Sequence, residues 1–341
     1  MKKILKPLLL LILSACIIFS GCQSKTSNNS KVYNTPVSNT SFMFDTVTTI
    51  TLYSGETEKD PEEIIVDAFK MCKDLENKLS KTIETSDVSL INKSKGEPIT
   101  VSDETAELIN LSKKYYELSN GAFDITIAPL SEKWNFHNEN PIPPSDDEIS
   151  LLLTYVGMDF ISIDGNVVTK SNPNTEIDLG GIAKGYIADK TAEYLISENI
   201  TSALINFGGN VVTIGSKPDN TSFKIGVQKP FAESNEVLGA VSCENGTIVT
   251  SGTYERYFEY EGEKYHHILD PKTGKPADSG LVSVTIEGIK SADADALSTS
   301  CFILGLEKGL ELIESLDGIE AVFVTENGDI ITTSNSTFEK I

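Results

Sequence analysis

The chain has 341 residues, of which 50 are acidic and 28 basic, for a formal net charge of −22. Such an excess of negative charge excludes a nucleic-acid binder, whose affinity comes from cations set against phosphate. The five cysteines are widely spaced and form neither a zinc signature nor a disulfide framework.

The first residues read as an export signal. Lys2, Lys3 and Lys6 precede an apolar run over residues 8–12 that continues through Ile17, Ile18 and Phe19, and Ser20 and Gly21 stand directly before Cys22. The run is shorter than the ~20 residues a membrane-spanning helix needs, and small residues ahead of a cysteine suit cleavage followed by lipidation. The expectation is a lipoprotein signal peptide over 1–21, a lipid on Cys22, and a protein anchored to the extracytoplasmic face of the cell membrane. Cleavage at another small residue, giving an ordinary secreted protein, is the alternative. Residues 22–40 are rich in Ser, Asn, Thr and Lys and are expected to form a flexible tether, leaving 41–341 as the folded domain. Removing the signal takes away three of the 28 basic residues and no acidic one, so 25 face 50 and the net charge becomes −25. An anionic ligand must then be met by local cations, backbone N–H groups or a bound metal.

Helices are predicted where caps and periodicity coincide. Asp60 followed by Pro61 opens a helix over 60–79, with Ile65, Ala68, Cys72, Leu75 and Leu79 on one face. Ser102 caps a second helix that stops at Asn120-Gly121, and Ser145 with Glu148 forms a capping box for a third ending near Gly157. Hairpin turns are predicted at Asp164-Gly165, Glu261-Gly262 and Asn327-Gly328. Short turns between strands imply antiparallel pairing. The fold class expected is α+β, a single two-lobed domain with a mostly antiparallel sheet and flanking helices. Cys72 and Cys301 fall in apolar helical patterns and read as buried, inert thiols.

Three stretches carry chemistry. In the first, Asp178-Leu179-Gly180-Gly181 leads into a helix bearing Lys184, which aims N–H groups and a cation at one point; glycines there also serve a tight connection alone. In the second, Asp295 and Thr299 lie four apart on one helix face and offer the hard oxygens that Mg²⁺ takes, although an aspartate near a helix start also serves as a cap. The third joins Thr250, Tyr254, Glu255 and Arg256, the only arginine, to His266 and His267. A neutral imidazole can take a proton from a hydroxyl, and adjacent strand residues face opposite ways, so one of the two histidines points to the site.

Together these stretches resemble the ApbE family of FAD:protein FMN transferases. The resemblance spans almost all of the domain: Ser86-Asp87-Val88-Ser89-Leu90-Ile91-Asn92, Gly121-Ala122-Phe123-Asp124-Ile125-Thr126 with Pro129-Leu130 and Trp134, residues 178–186, Asn206-Phe207-Gly208-Gly209-Asn210, 250–258, 267–274 and 295–305. It implies that Met43, Ala122, Phe123, Asp124, Asp178, Lys184 and the backbone at Leu269 contact FAD. It also implies Mg²⁺ held by the Gly181 carbonyl with Asp295 and Thr299, and His267 as general base. The implied reaction moves FMN from FAD to a Ser/Thr hydroxyl of an extracytoplasmic membrane redox protein and releases AMP. Thr82 departs from the family where an aromatic residue is usual, and Asn210 stands where many members carry aspartate. An FAD pyrophosphatase of the same fold is the nearest competing reading. A flavin- or solute-binding lipoprotein is a second, and the solute receptor predicts parallel sheets in two α/β lobes.

Overall fold

Helix starts fall where side-chain oxygens can satisfy free N–H groups. In the computed structural model, which describes residues 31–33, 35–232 and 236–341, α1 (Pro61–Leu79) begins after Asp60, whose Oδ1 accepts from Glu62 N at 2.9 Å. Ser86 and Ser102 cap α2 (Asp87–Lys93) and α3 (Asp103–Leu118) in the same way. α4 (Ala128–Trp134) follows, and α5 (Asp146–Leu153) carries the reciprocal Ser145–Glu148 box. α5 ends at Leu153 rather than near Gly157, its last turn tightened by Thr154 N donating to Leu151 O at 3.1 Å. α6 (Ala183–Ser197), α7 (Ser291–Leu304) and α8 (Leu306–Glu314) complete the α-helices among the described residues, beside one 3₁₀ turn at Met158–Phe160.

Every strand pairing among the described residues is antiparallel, as the short turns imply. The main sheet runs in the order β1 (Lys31–Tyr33), β3 (Thr46–Thr57), β7 (Ile200–Phe207), β8 (Asn210–Ile214), β11 (Thr247–Gly252), β14 (Leu281–Gly288), β15 (Glu320–Thr325) and β16 (Ile330–Thr332), with β2 (Val37–Met43) also on β3. β4 (Ile99–Thr100), β6 (Val167–Lys170) and β5 (Ile161–Asp164) form a small sheet beside the early helices. β9 (Phe223–Gln228) and β10 (Val237–Cys243) pair with the C-terminal β17 (Glu339–Lys340), and β12 (Tyr257–Tyr260) pairs only with β13 (Glu263–His266). Parallel lobes of the solute-receptor type are absent from this topology.

The expected tether needs a correction. Residues 31–33 and 37–40 lie in strands on β3, because a twelve-residue strand presents backbone groups to pair with, and pairing needs no apolar composition. The signal peptide and Cys22 lie outside the described residues.

The core is one domain's core. Ile50 and Leu52 of β3 and Phe207 of β7 pack with Ile64 and Ala68 of α1, Ile187 of α6, Phe302 of α7 and Phe323 of β15, and the same cluster takes in Val88, Leu108 and Val168 from the helical lobe. Each such side chain, fully buried, contributes about 1.5–3 kcal/mol. Cys72 and Cys301 are buried in it as free thiols. A satellite cluster of Leu130, Trp134, Ile149, Phe258 and Leu269 lies under the β12–β13 hairpin.

Candidate active site

The Gly180-Gly181 turn delivers the chain into α6, whose first residues carry no cap of their own. The free N–H of Gly185 is met instead by Asp295 of α7, whose Oδ2 accepts it at 3.0 Å. The other oxygen of that carboxylate is left for a ligand. Asp295 is only 3% exposed, and burial pushes its carboxyl up, while Lys184 and Asn210 work against that push. A buried carboxylate in this state is stabilised by any cation that reaches it. Thr299 lies one turn along the same face, 3.8 Å from where a Cβ on Gly181 would stand. Ser251 Oγ of β11 lies 3.4 Å from Thr299 Oγ1, adding a second hydroxyl. Asn210, also buried, lies beside Asp295 with its amide favouring the ionised carboxylate, at longer range than a full hydrogen bond.

The wall opposite α7 comes from the segment 122–127. The Phe123 ring lies 3.2 Å from the Cβ position of Gly181, which ties Ala122 and Phe123 to the turn. The Asp124 carboxylate faces inward: its Oδ1 accepts from Thr126 N at 2.8 Å and Thr126 Oγ1 at 2.6 Å, and burial pushes its pKa up. Asp178 N donates to Ile125 O at 2.7 Å, which joins the two loops.

Asp178 is not alone at this wall. Lys81 Nζ lies 3.1 Å from its Oδ2 and donates to Ser131 Oγ at 2.9 Å. One polar stripe of α2 brings the pair together. Ser86 Oγ donates to Ser80 O at 2.6 Å and Ser89 Oγ to Lys81 O at 2.9 Å, while Asn92 exchanges two hydrogen bonds with the backbone of Ile177. The stripe recurs every three residues, which keeps it on one helix face.

The two histidines separate as strand geometry requires. His266 turns its ring edge onto Phe302, with centroids 5.5 Å apart, and uses both nitrogens: Nε2 donates to Ala277 O at 3.2 Å and Nδ1 accepts from Ile268 N at 3.3 Å. His267 Nδ1 lies 3.2 Å from Arg256 O. A carbonyl only accepts, so Nδ1 carries the proton and Nε2 keeps a free lone pair. Burial, with Arg256 and Lys184 adding, holds the His267 pKa down at about 3, and the ring is neutral at physiological pH. Glu255 is exposed as a residue, but its carboxyl is desolvated by the surrounding protein and pushed up to about 7, with Lys184 opposing the push and Asp295 adding to it.

Gly181, Lys184, Asp295, Thr299 and His267 are thus gathered with Phe123 about one region. Met43 lies in the main core at the end of β2, and Leu269 in the satellite cluster, where its bridge to Pro276 ties the loop after β13. Lys81, Ser251 and Asn92 were missed by sequence reasoning as individual site residues, while Glu255 was named within the third stretch. Asn92 and Ser251 sit inside motifs already singled out, whereas Lys81 carries only the hint that it adjoins the departing Thr82. Among the described residues no three His, Cys, Asp or Glu side chains gather as a metal cluster. Two cavities of about 360 and 370 Å³, lined by Tyr116 with Asp159 and by Trp134 with Pro143, contain none of these residues.

An antiparallel α/β domain with a carboxylate, a lysine and a neutral imidazole around a glycine turn has counterparts among proteins of known sequence and structure. The ApbE family model matches residues 44–323, and the chain belongs to the ApbE family. The FAD:protein FMN transferase of Klebsiella pneumoniae is 39% identical over 269 residues, covering 78% of this chain and 83% of that protein. The protein of the same name from Escherichia coli K12 is 31% identical, covering 69% of each. Among solved structures, the ApbE protein of Thermotoga maritima superposes with a TM-score of 0.80 at 33% identity, covering 88% of this chain and 96% of that one. The flavin transferase ApbE of Vibrio cholerae gives 0.79 at 25% identity, covering 90% and 98%.

Proposed function

We propose that this chain is an FAD:protein FMN transferase that moves FMN from FAD to a Ser/Thr hydroxyl of a membrane redox protein on the extracytoplasmic side. The observation that carries the reading is the joining of Lys184, Asp295, Thr299 and His267 at one turn, within a chain whose relatives bear that name.

The donor set fits a Mg²⁺ ion: a buried carboxylate with one oxygen free, a hydroxyl and a backbone carbonyl are all hard oxygens, too few for a complete shell, which suits an ion that shares substrate phosphate oxygens and water. Asp295, Thr299 and the Gly181 carbonyl would hold it, and when bound it offsets negative charge on the pyrophosphate. The remaining steps belong to the chain. Lys184 faces the phosphate next to the attacked phosphorus, and Asn210 helps keep the Asp295 carboxylate ionised. His267 Nε2 takes the proton of the acceptor hydroxyl as its oxygen bonds to the FMN phosphorus and the bond to AMP breaks. Asp178 with Lys81, and the 122–124 segment, form the wall that receives the flavin nucleotide.

The same geometry with water in place of the hydroxyl makes a pyrophosphatase. To separate the two, the purified protein is incubated with FAD, Mg²⁺ and a candidate acceptor domain. Flavin fluorescence on the denatured acceptor together with AMP supports transfer; AMP and free FMN with every acceptor unlabelled refutes it in favour of hydrolysis. FAD binding without cleavage leaves a flavin-binding lipoprotein. Anchoring by a lipid on Cys22 is part of the proposal, and Cys22→Ser should move the protein from the membrane fraction to the soluble one.

A further inference from the structure

Neither α6 nor α7 is capped from its own chain end: Ile182 and Lys290, at the cap positions, make no side-chain hydrogen bond to the first turn. Each helix is capped by a carboxylate of the other. Asp295 of α7 accepts from Gly185 N, and Asp189 of α6 accepts from Ser291 N at 2.8 Å and Ala292 N at 3.0 Å, one on each oxygen. Gly185 and Asp189 are four apart on α6, as are Ser291 and Asp295 on α7, so each helix presents one face to both contacts. The helices touch backbone to backbone there, since a Cβ on Gly185 would stand 2.2 Å from Ser291 O. Asp189 is 9% exposed, and each of its oxygens is taken by a backbone N–H of α7.

A helix is stiff over a single turn, so whatever fixes Ser291 and Ala292 against α6 also fixes Asp295 one turn on and Thr299 one turn beyond. We propose that Asp189 is a positioning residue for the ligand group at Asp295 and Thr299: it sets the register of α7 on α6, and so the affinity for a hard divalent cation, while touching neither cation nor substrate. The proposal rests on the reading of Asp295 and Thr299 as metal ligands. Its partner in position is the exposed Lys290–Glu193 pair, 3.1 Å apart, which joins the same two helices at the surface and serves as a control.

The test is titration calorimetry with Mn²⁺, without FAD, on the wild-type protein, Asp189→Ala, Asp189→Asn and Glu193→Gln, with thermal midpoints alongside. Removal of a residue that orients a metal ligand is expected to weaken Mn²⁺ binding about tenfold or more in Asp189→Ala. Asp189→Asn keeps one acceptor oxygen but turns an amide donor toward the other backbone N–H, so it should recover only part of that affinity, and Glu193→Gln should bind as the wild type does. If Asp189→Ala fails to fold, the comparison of Asp189→Asn with the wild type decides, a fewfold loss being expected. Unchanged Mn²⁺ affinity in the Asp189 variants with a lowered midpoint overturns the positioning role and leaves the metal reading standing. A wild-type protein that binds no Mn²⁺ overturns the metal reading, and this proposal with it.

Discussion

Replacing Gly185 by alanine puts the α6–α7 contact to a quantitative test. The added Cβ would meet Ser291 O at 2.2 Å, Ser291 C at 2.5 Å and Ala292 N at 2.7 Å, all backbone atoms that no rotamer change can move aside. Normal carbon-to-oxygen contact begins near 3.3 Å, so the helices must part by about 1 Å. Overpacking of this kind costs about 1–3 kcal/mol, and stretching the charge-assisted Gly185–Asp295 bond about 1.5–3 more. Alanine returns about 1 kcal/mol through its helix propensity. The expected net loss is therefore about 2–5 kcal/mol, measured as the difference in unfolding free energy in guanidinium chloride. Displacement of Asp295 by about 1 Å should also lower the flavin-transfer rate about a hundredfold. A variant as stable as the wild type, or more stable, would refute the backbone contact and the account of why Asp295 is held where it is.

Asp295→Ala should abolish metal-dependent turnover while the protein stays folded; undiminished turnover would remove this residue from the site. His267 is held neutral, with its pKa near 3 against 6.5 in an unfolded chain, so the unfolded state takes up the proton first and stability falls as pH drops from 6.5 toward 3. His267→Gln cannot titrate, and the decline in its unfolding free energy from about pH 7 to pH 5 should be shallower than that of the wild type; parallel declines would show the imidazole to be protonated in the folded state. Lys81→Met removes the counter-charge of Asp178 at a mostly buried pair, and the KM for FAD should rise severalfold with kcat nearly kept. An unchanged KM would make that pair structural.

What the sequence revealed and what it hid divide by distance along the chain. Asp60, Ser102 and Ser145 announce their helices because a cap and its target lie two or three residues apart. The hairpin turns at Asp164-Gly165 and Glu261-Gly262 are equally local, with left-handed backbone at Gly165 and at Glu261. Asp295 and Thr299 were legible through helical spacing. Asp189, by contrast, meets its partners 102 and 103 residues away, and Asn92 reaches Ile177 across 85, so no window of sequence contains both ends. α2 and α4, at seven residues each, are too short for periodicity to mark. The strands before Phe42 escaped because composition measures what a segment can bury, whereas an edge strand is held by its backbone.

The hairpin formed by β12 and β13 joins no other strand and rests on its own aromatic bed, with Phe258 and Tyr265 stacked at 5.3 Å and Trp134 Nε1 donating to Gly274 O at 2.8 Å. Its outward residues, Tyr257 and Glu259 among them, are exposed, so substitution there leaves the bed in place, whereas the paired helices meet backbone to backbone at Gly185 and leave no room for a larger side chain. Grafting foreign residues onto that outer face is accordingly the least disruptive way to alter which surfaces the protein meets, and the helix pair is the last place to attempt it.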